Sequence, residues 1–146
     1  MVLAIKTFDG LELKELYQIL QLRSEVFVVE QDCVYQDMDN MDYSALHIMG
    51  IRNNTIMAYT RIFKPGDYYR EASIGRVIVK KTERGNGYAS DIMHYSLKAI
   101  SERFGLVPVR ISAQKQLINF YNSLGFVEIG NGYLEDGIPH IAMLRE

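Results

Sequence analysis

The sequence predicts an α+β fold with a mixed, mainly antiparallel sheet flanked by helices, and three observations predict it. Paired Asn53-Asn54 divides two strand-like runs, 45–51 and 56–63, and tolerates the positive φ of a hairpin turn. The β-branched run 73–80 leads through a glycine-containing turn into an amphipathic stretch at 88–104 and then another strand at 107–113. Such a strand–helix–strand unit crosses over right-handed and lays its strands parallel. Nothing in the 146 residues reads as a repeat or linker, so residues 1–146 form one domain, long enough to bury a core without staples.

In chain order, residues 2–8 read as a strand stopped by Asp9-Gly10. A helix is expected over 11–29, with Leu13, Leu16, Tyr17, Leu20, Ser24 and Phe27 on one face. The polar loop 31–43 carries Asp32, Asp37, Asp39 and Asp42. After the hairpin, Pro65-Gly66-Asp67 turns the chain toward strand 73–80. Ala89, Ile92, Met93, Ser96, Leu97 and Ile100 form one continuous stripe on the next helix, which Gly105 ends. A short helix at 115–123, stopped by Gly125, precedes closing strands at 126–131 and 138–144.

Composition excludes several classes. The hydrophobic fraction of 48% and charged fraction of 23% are those of a soluble globular chain. A net charge of -2 with scattered Lys and Arg offers no field for nucleic acid or anionic membrane. Met1 to Lys6 is too short for a signal peptide, and runs such as Val26 to Val29 are too short to span a membrane. Cys33 has no partner for a disulfide, which fits a reducing compartment, so a cytoplasmic protein is expected.

Between strand 73–80 and helix 88–104 lies Arg84-Gly85-Asn86-Gly87-Tyr88-Ala89. Helix starts carry unpaired N–H groups and the positive end of the macrodipole, and glycine lets an anion approach them. Arg84 adds a fixed positive charge. The pattern suits a phosphate or pyrophosphate, or merely a turn that needs glycine. It is not a P-loop, since no Lys follows the glycines. Nor is it a dinucleotide fingerprint, whose third glycine would fall at Ser90.

Val77-Ile78-Val79, leading into Gly85-Asn86-Gly87-Tyr88-Ala89, resembles the signature of the Gcn5-related N-acetyltransferase (GNAT) superfamily. Phe120-Tyr121-Asn122-Ser123-Leu124-Gly125-Phe126 is similar to its C-terminal Tyr-x-x-x-Gly-Phe element. The strings Leu22 to Gln31, Ala45-Leu46-His47, Ser112-Ala113-Gln114 and Glu135 to His140 resemble the ElaA-like branch. Thr82 departs from the Gln or Arg usual there, which passes that phosphate contact to Arg84 and backbone amides. Gln114 stands where many members have Asn.

The resemblance implies a sheet splayed between the fourth and fifth strands. Acetyl-coenzyme A would enter the splay as co-substrate, with no metal. Val77, Ile78 and Val79 would flank its pantetheine arm. Arg84, Gly85, Asn86, Gly87, Tyr88, Ala89 and Ser90 would hold its pyrophosphate, and Gln114 would lie beside it. Tyr121 is the implied general acid, because a phenol is protonated at neutral pH and can give its proton to the departing thiolate.

A base or water chain must deprotonate the ammonium, and Glu30, His47, Glu71 and His140 are candidates. Glu30 and His140 rank first because they belong to the ElaA-like strings, whereas a lone strand histidine such as His47 is more often packed against a carbonyl. The four-Asp loop offers either a negative rim or a solvated stretch. Arg76 either pairs with a buried carboxylate or faces solvent. Cys33 has no His pattern beside it and is no nucleophile.

The function expected is transfer of an acetyl group to a primary amine on a small molecule or peptide. A homodimer, the commonest assembly, is left open. The alternatives are an acetyl-coenzyme A sensor without turnover and a nucleotide-binding protein of another class.

Overall fold

The computed structural model describes residues 1–146. Seven strands form one sheet in the order β1-β2-β3-β4-β5-β7-β6. They are β1 (Val2–Thr7), β2 (Leu46–Arg52), β3 (Thr55–Phe63), β4 (Ala72–Val79), β5 (Val109–Gln114), β6 (Val127–Glu135) and β7 (Ile138–Arg145). Helices α1 (Leu13–Arg23), α2 (Tyr88–Phe104) and α3 (Ile118–Ser123) accompany it. None is long and apolar enough to cross a membrane.

The hairpin forms where two asparagines tolerate it: Asn53 and Asn54 sit at φ 52° and 59°, both in the left-handed region. Adjacent residues of the central strands then supply two cores. Ile48 packs with Ile62, Ile74, Ile92, Met93, Ile111 and Phe126 on the α2 face. Its neighbour Met49 packs with Ile19, Leu22, Val26, Tyr59 and Ile78 on the α1 face. Ile74 and Ile78 are four residues apart in β4 and would share a face in a regular strand. A bulge between them, with Arg76 at φ 50°, inserts one residue against β3 and turns them to opposite faces.

The sheet is splayed where the resemblance implies. Strands β4 and β5 are parallel but pair only at Ala72 with Val109 and Ser73 with Arg110. Beyond Ser73 the strands part, while β5 continues on its other side through six register pairs with β7.

Three sequence expectations are corrected. The first helix starts at Leu13, with a capping box between Glu12 and Glu15, and widens into a π-helix at Ser24–Glu30. Its buried face is Ile19, Leu22, Arg23 and Val26, whereas Leu13 and Tyr17 are exposed. The short helix opens with a 3-10 turn at Lys115–Leu117. The sixth strand does not stop at 131, because an irregularity between Ile129 and Tyr133 absorbs Gly130-Asn131-Gly132 and pairing resumes to Glu135.

Candidate active site

The turn between β4 and α2 begins with a 3-10 turn at Lys81–Glu83. Gly85 and Gly87 follow at φ 86° and 77°, a conformation that disfavours any side chain. The first bond of α2 runs from the Asp91 amide to the Gly87 carbonyl at 3.1 Å, and no amide from Gly85 to Ser90 donates to a backbone carbonyl. Six consecutive N–H groups are therefore free for an anion. Arg84 lies beside them, its Nε donating to the Val79 carbonyl at 3.0 Å. Its other nitrogens donate to both oxygens of Glu30, at 2.6 and 2.9 Å.

Where β4 and β5 part, a cavity opens. Its lining includes Gly75, Arg76 and Val77 of β4, Ile111, Ser112 and Gln114 of β5, Tyr121 of α3, and Glu135 and His140 of the last hairpin. Gly125, at φ 93°, reverses the chain after α3, and the Phe126 amide returns to the Tyr121 carbonyl at 3.1 Å. The Phe126 ring then meets Tyr121 edge-on, with centroids 6.1 Å apart. This packing is why Tyr-x-x-x-Gly-Phe fixes the tyrosine. Tyr121 is 6% exposed, and burial alone pushes its phenol up to about 12, so it holds its proton at neutral pH.

His140 is equally buried, on β7 opposite Gln114 of β5 and Tyr133 of β6. Its Nδ1 lies 2.7 Å from the Ile138 carbonyl. A carbonyl only accepts, so Nδ1 carries the hydrogen and the neutral ring keeps its lone pair on Nε2. Nε2 faces Glu135 Oε2 at 3.4 Å. Ser112 donates to the other Glu135 oxygen at 3.2 Å and receives the Tyr133 hydroxyl.

Behind the cavity the acidic loop is consumed by arginines. Arg23 donates to Asp37 and Asp42, both at 2.7 Å. Arg61 donates to Asp39 at 2.8 Å and Asp42 at 2.9 Å, and Arg76 to Asp37 at 2.8 Å. Burial would raise the Asp39 and Asp42 carboxyls, but Arg61 and Arg23 outweigh it and hold both below the ordinary carboxylate value. Three of the four aspartates are thus counter-ions, and the loop presents no free negative rim from them.

A family model described as an acetyltransferase (GNAT) domain matches residues 12–146. The chain belongs to the GNAT family. Within it, the chain is 44% identical to Protein ElaA of Escherichia coli K12 over 138 residues, covering 93% of this chain and 90% of that one. It is 39% identical to a UPF0039 protein of Schizosaccharomyces pombe over 144 residues, 97% and 94% of the two chains. Crystal structures of an acyl-CoA N-acyltransferase from Pseudomonas aeruginosa and of E. coli ElaA superpose with TM-scores of 0.94 and 0.92. Each is 40% identical with full coverage of both chains. The resemblance to the ElaA-like branch therefore holds, and the protein is an acyltransferase of the GNAT family.

This GNAT chain gathers Val77, Gln114, Tyr121 and His140 at one cavity. The Ile78 side chain points into the α1 core, so only its backbone borders the splay. Glu30 lies outside the lining, tied to Arg84, and Glu71 lies outside as well. His47 is fully buried: Nε2 donates to the Asp42 carbonyl at 2.9 Å, and Nδ1 accepts the Tyr59 hydroxyl at 2.6 Å. Burial lowers its pKa, and no part of it reaches the cavity. In the sequence Glu135 stands out only as the first residue of the ElaA-like string Glu135 to His140. Its place at the cavity depends on β6 continuing past Gly132, and the glycines there read as a strand end.

Proposed function

We propose that the protein transfers an acetyl group from acetyl-coenzyme A to a primary amine. The observation that carries this reading is the combination of six free amides at residues 85–90, a β4 that parts from β5 after Ser73, and a cavity at that parting that holds Tyr121. The Pseudomonas relative, an acyl-CoA N-acyltransferase, supports the same donor chemistry and nitrogen acceptor.

In this reading the pyrophosphate lies on Gly85 to Ser90 with Arg84 beside it, and the pantetheine arm runs extended between β4 and β5. Val77 and Val79 meet its amides, with Ile78 between them and Gln114 across the gap. Glu30 braces Arg84, and the base is His140, whose Nε2 lone pair faces the cavity. The acceptor enters as an ammonium and gives one proton to His140. Its freed lone pair bonds to the thioester carbon, the C–S bond breaks, and sulfur keeps that electron pair. Tyr121 protonates the sulfur and is restored by the second proton lost from nitrogen, while the third stays on the amide. The products are the acetylated amine, coenzyme A and a proton passed from His140 to solvent.

Thiol release from acetyl-coenzyme A, followed across a panel of primary amines, tests this. Tyr121→Phe should lower kcat by about 100-fold, the scale of one general acid, with KM for acetyl-coenzyme A unchanged. An unaltered kcat would remove Tyr121 from the mechanism. Binding of acetyl-coenzyme A with no thiol released by any amine would favour a sensor instead.

A further inference from the structure

Glu135 and His140 face each other with two acceptors. With Nδ1–H committed to the Ile138 carbonyl, the neutral form of His140, the form that can take a proton from the acceptor, points a lone pair at a carboxylate oxygen 3.4 Å away. Neither group can satisfy the other unless a hydrogen lies between them. His140 is 6% exposed, and Nε2 makes no hydrogen bond within the protein. A donor entering the cavity would satisfy both groups at once, and an ammonium nitrogen at ordinary hydrogen-bond distance from each fits a 3.4 Å separation.

The surroundings fix the carboxylate in that pose. Ser112 donates to Glu135 from β5, Tyr133 donates to Ser112, and the Tyr133 ring stacks on His140 with centroids 6.3 Å apart. The charge balance points the same way. Arg61 and Arg76 line the cavity, but with Arg23 they are matched by Asp37, Asp39 and Asp42. Glu135 and its neighbour Asp136 form no ion pair with a Lys or Arg, so the uncompensated charge of the lining is negative.

Resting on the acetyl-transfer reading, we propose that Glu135 is the residue that receives the acceptor, clasping its ammonium jointly with His140 Nε2. The substrate class is then an amine with no carboxylate on the reacting carbon. The carboxylate of an α-amino acid would be carried toward Glu135 and Asp136, and the two arginines that line the cavity, Arg61 and Arg76, are already paired. Glu135 acts only in recognition and orientation, and the proton passes to His140.

Tyramine and tyrosine differ only by that carboxylate, and their ring suits a cavity walled by Phe63, Tyr68 and Tyr69. The wild-type enzyme should prefer tyramine by at least about tenfold in kcat/KM, the scale of one hydrogen bond to a charged group. Glu135→Gln keeps the shape but not the charge. It should raise KM for tyramine by about tenfold, leave KM for acetyl-coenzyme A unchanged, and shrink the preference over tyrosine. Glu135→Asp should recover part of the loss.

Calorimetric titration of tyramine into protein saturated with coenzyme A reads recognition without turnover. Weaker binding to Glu135→Gln supports the inference even if no thiol is ever released, a result that would sink the acetyl-transfer reading alone. Equal tyramine binding by the two proteins, or a wild-type preference for tyrosine, overturns the inference.

Discussion

The phosphate turn and the cavity wall are built from different materials. The turn is one contiguous stretch of backbone, Gly85 to Ser90, whose amides point outward because a helix has just begun. The wall is held from behind by side chains from afar: Arg23 of α1, Arg61 of β3 and Arg76 of β4 meet aspartates 14 to 39 residues away. A backbone site depends on φ and is indifferent to most side chains. A side-chain site depends on charge balance and fails as a unit.

The largest effect should come from breaking that balance. Asp42 accepts from both Arg23 and Arg61, which are essentially fully buried, so Asp42→Ala leaves two guanidinium groups short of a partner. Denaturant unfolding should show a loss of about 3–5 kcal/mol, the cost of splitting a buried pair. A loss below about 1 kcal/mol, the range of surface pairs, would mean that the wall is not held by its charges.

The turn should respond less. Gly87 sits at φ 77°, with nothing within 4 Å of where a Cβ would lie, so Gly87→Val strains only the backbone. About 1–2 kcal/mol of stability should be lost, with a rise in KM for acetyl-coenzyme A at unchanged kcat. Full retention of donor affinity would show that the turn does not need its left-handed geometry.

Acid gives the smallest effect. Burial opposes ionisation of Asp39, but its hydrogen bond and ion pair with Arg61 win and hold its carboxyl below the unfolded value of 3.8. A carboxyl depressed on folding contributes stability that is complete above the unfolded value and lost as pH falls through the folded one. Thermal stability should therefore decline below about pH 4. Asp39→Asn should start less stable near neutrality and decline more shallowly, and an unchanged slope would detach Asp39 from the acid response.

What could be read from the sequence follows the same division. Strand 73–80, its turn and helix 88–104 are local patterns, and each stands where expected to within a residue or two. The Asn53-Asn54 hairpin is equally local. The aspartates of 31–43 look like a solvated or negative loop because their partners are distant, and no local pattern announces an arginine on another strand. Leu13 and Tyr17 repeat at helical spacing yet face outward, since the buried face was claimed by Ile19, Leu22 and the charge-paired Arg23. At the last hairpin, Gly130 and Gly132 mimic a terminator, and only the resumed pairing with β7 shows that the strand goes on to Tyr133 and Glu135.

The brief pairing of β4 with β5 has a further consequence. A continuous sheet has two outer borders, where another protein's strand can attach and seed aggregates. Here the parting after Ser73 creates two more borders, which face each other inside one molecule and share one narrow seam. The fold thus keeps a strand-accepting surface in solution while shielding it from neighbouring molecules.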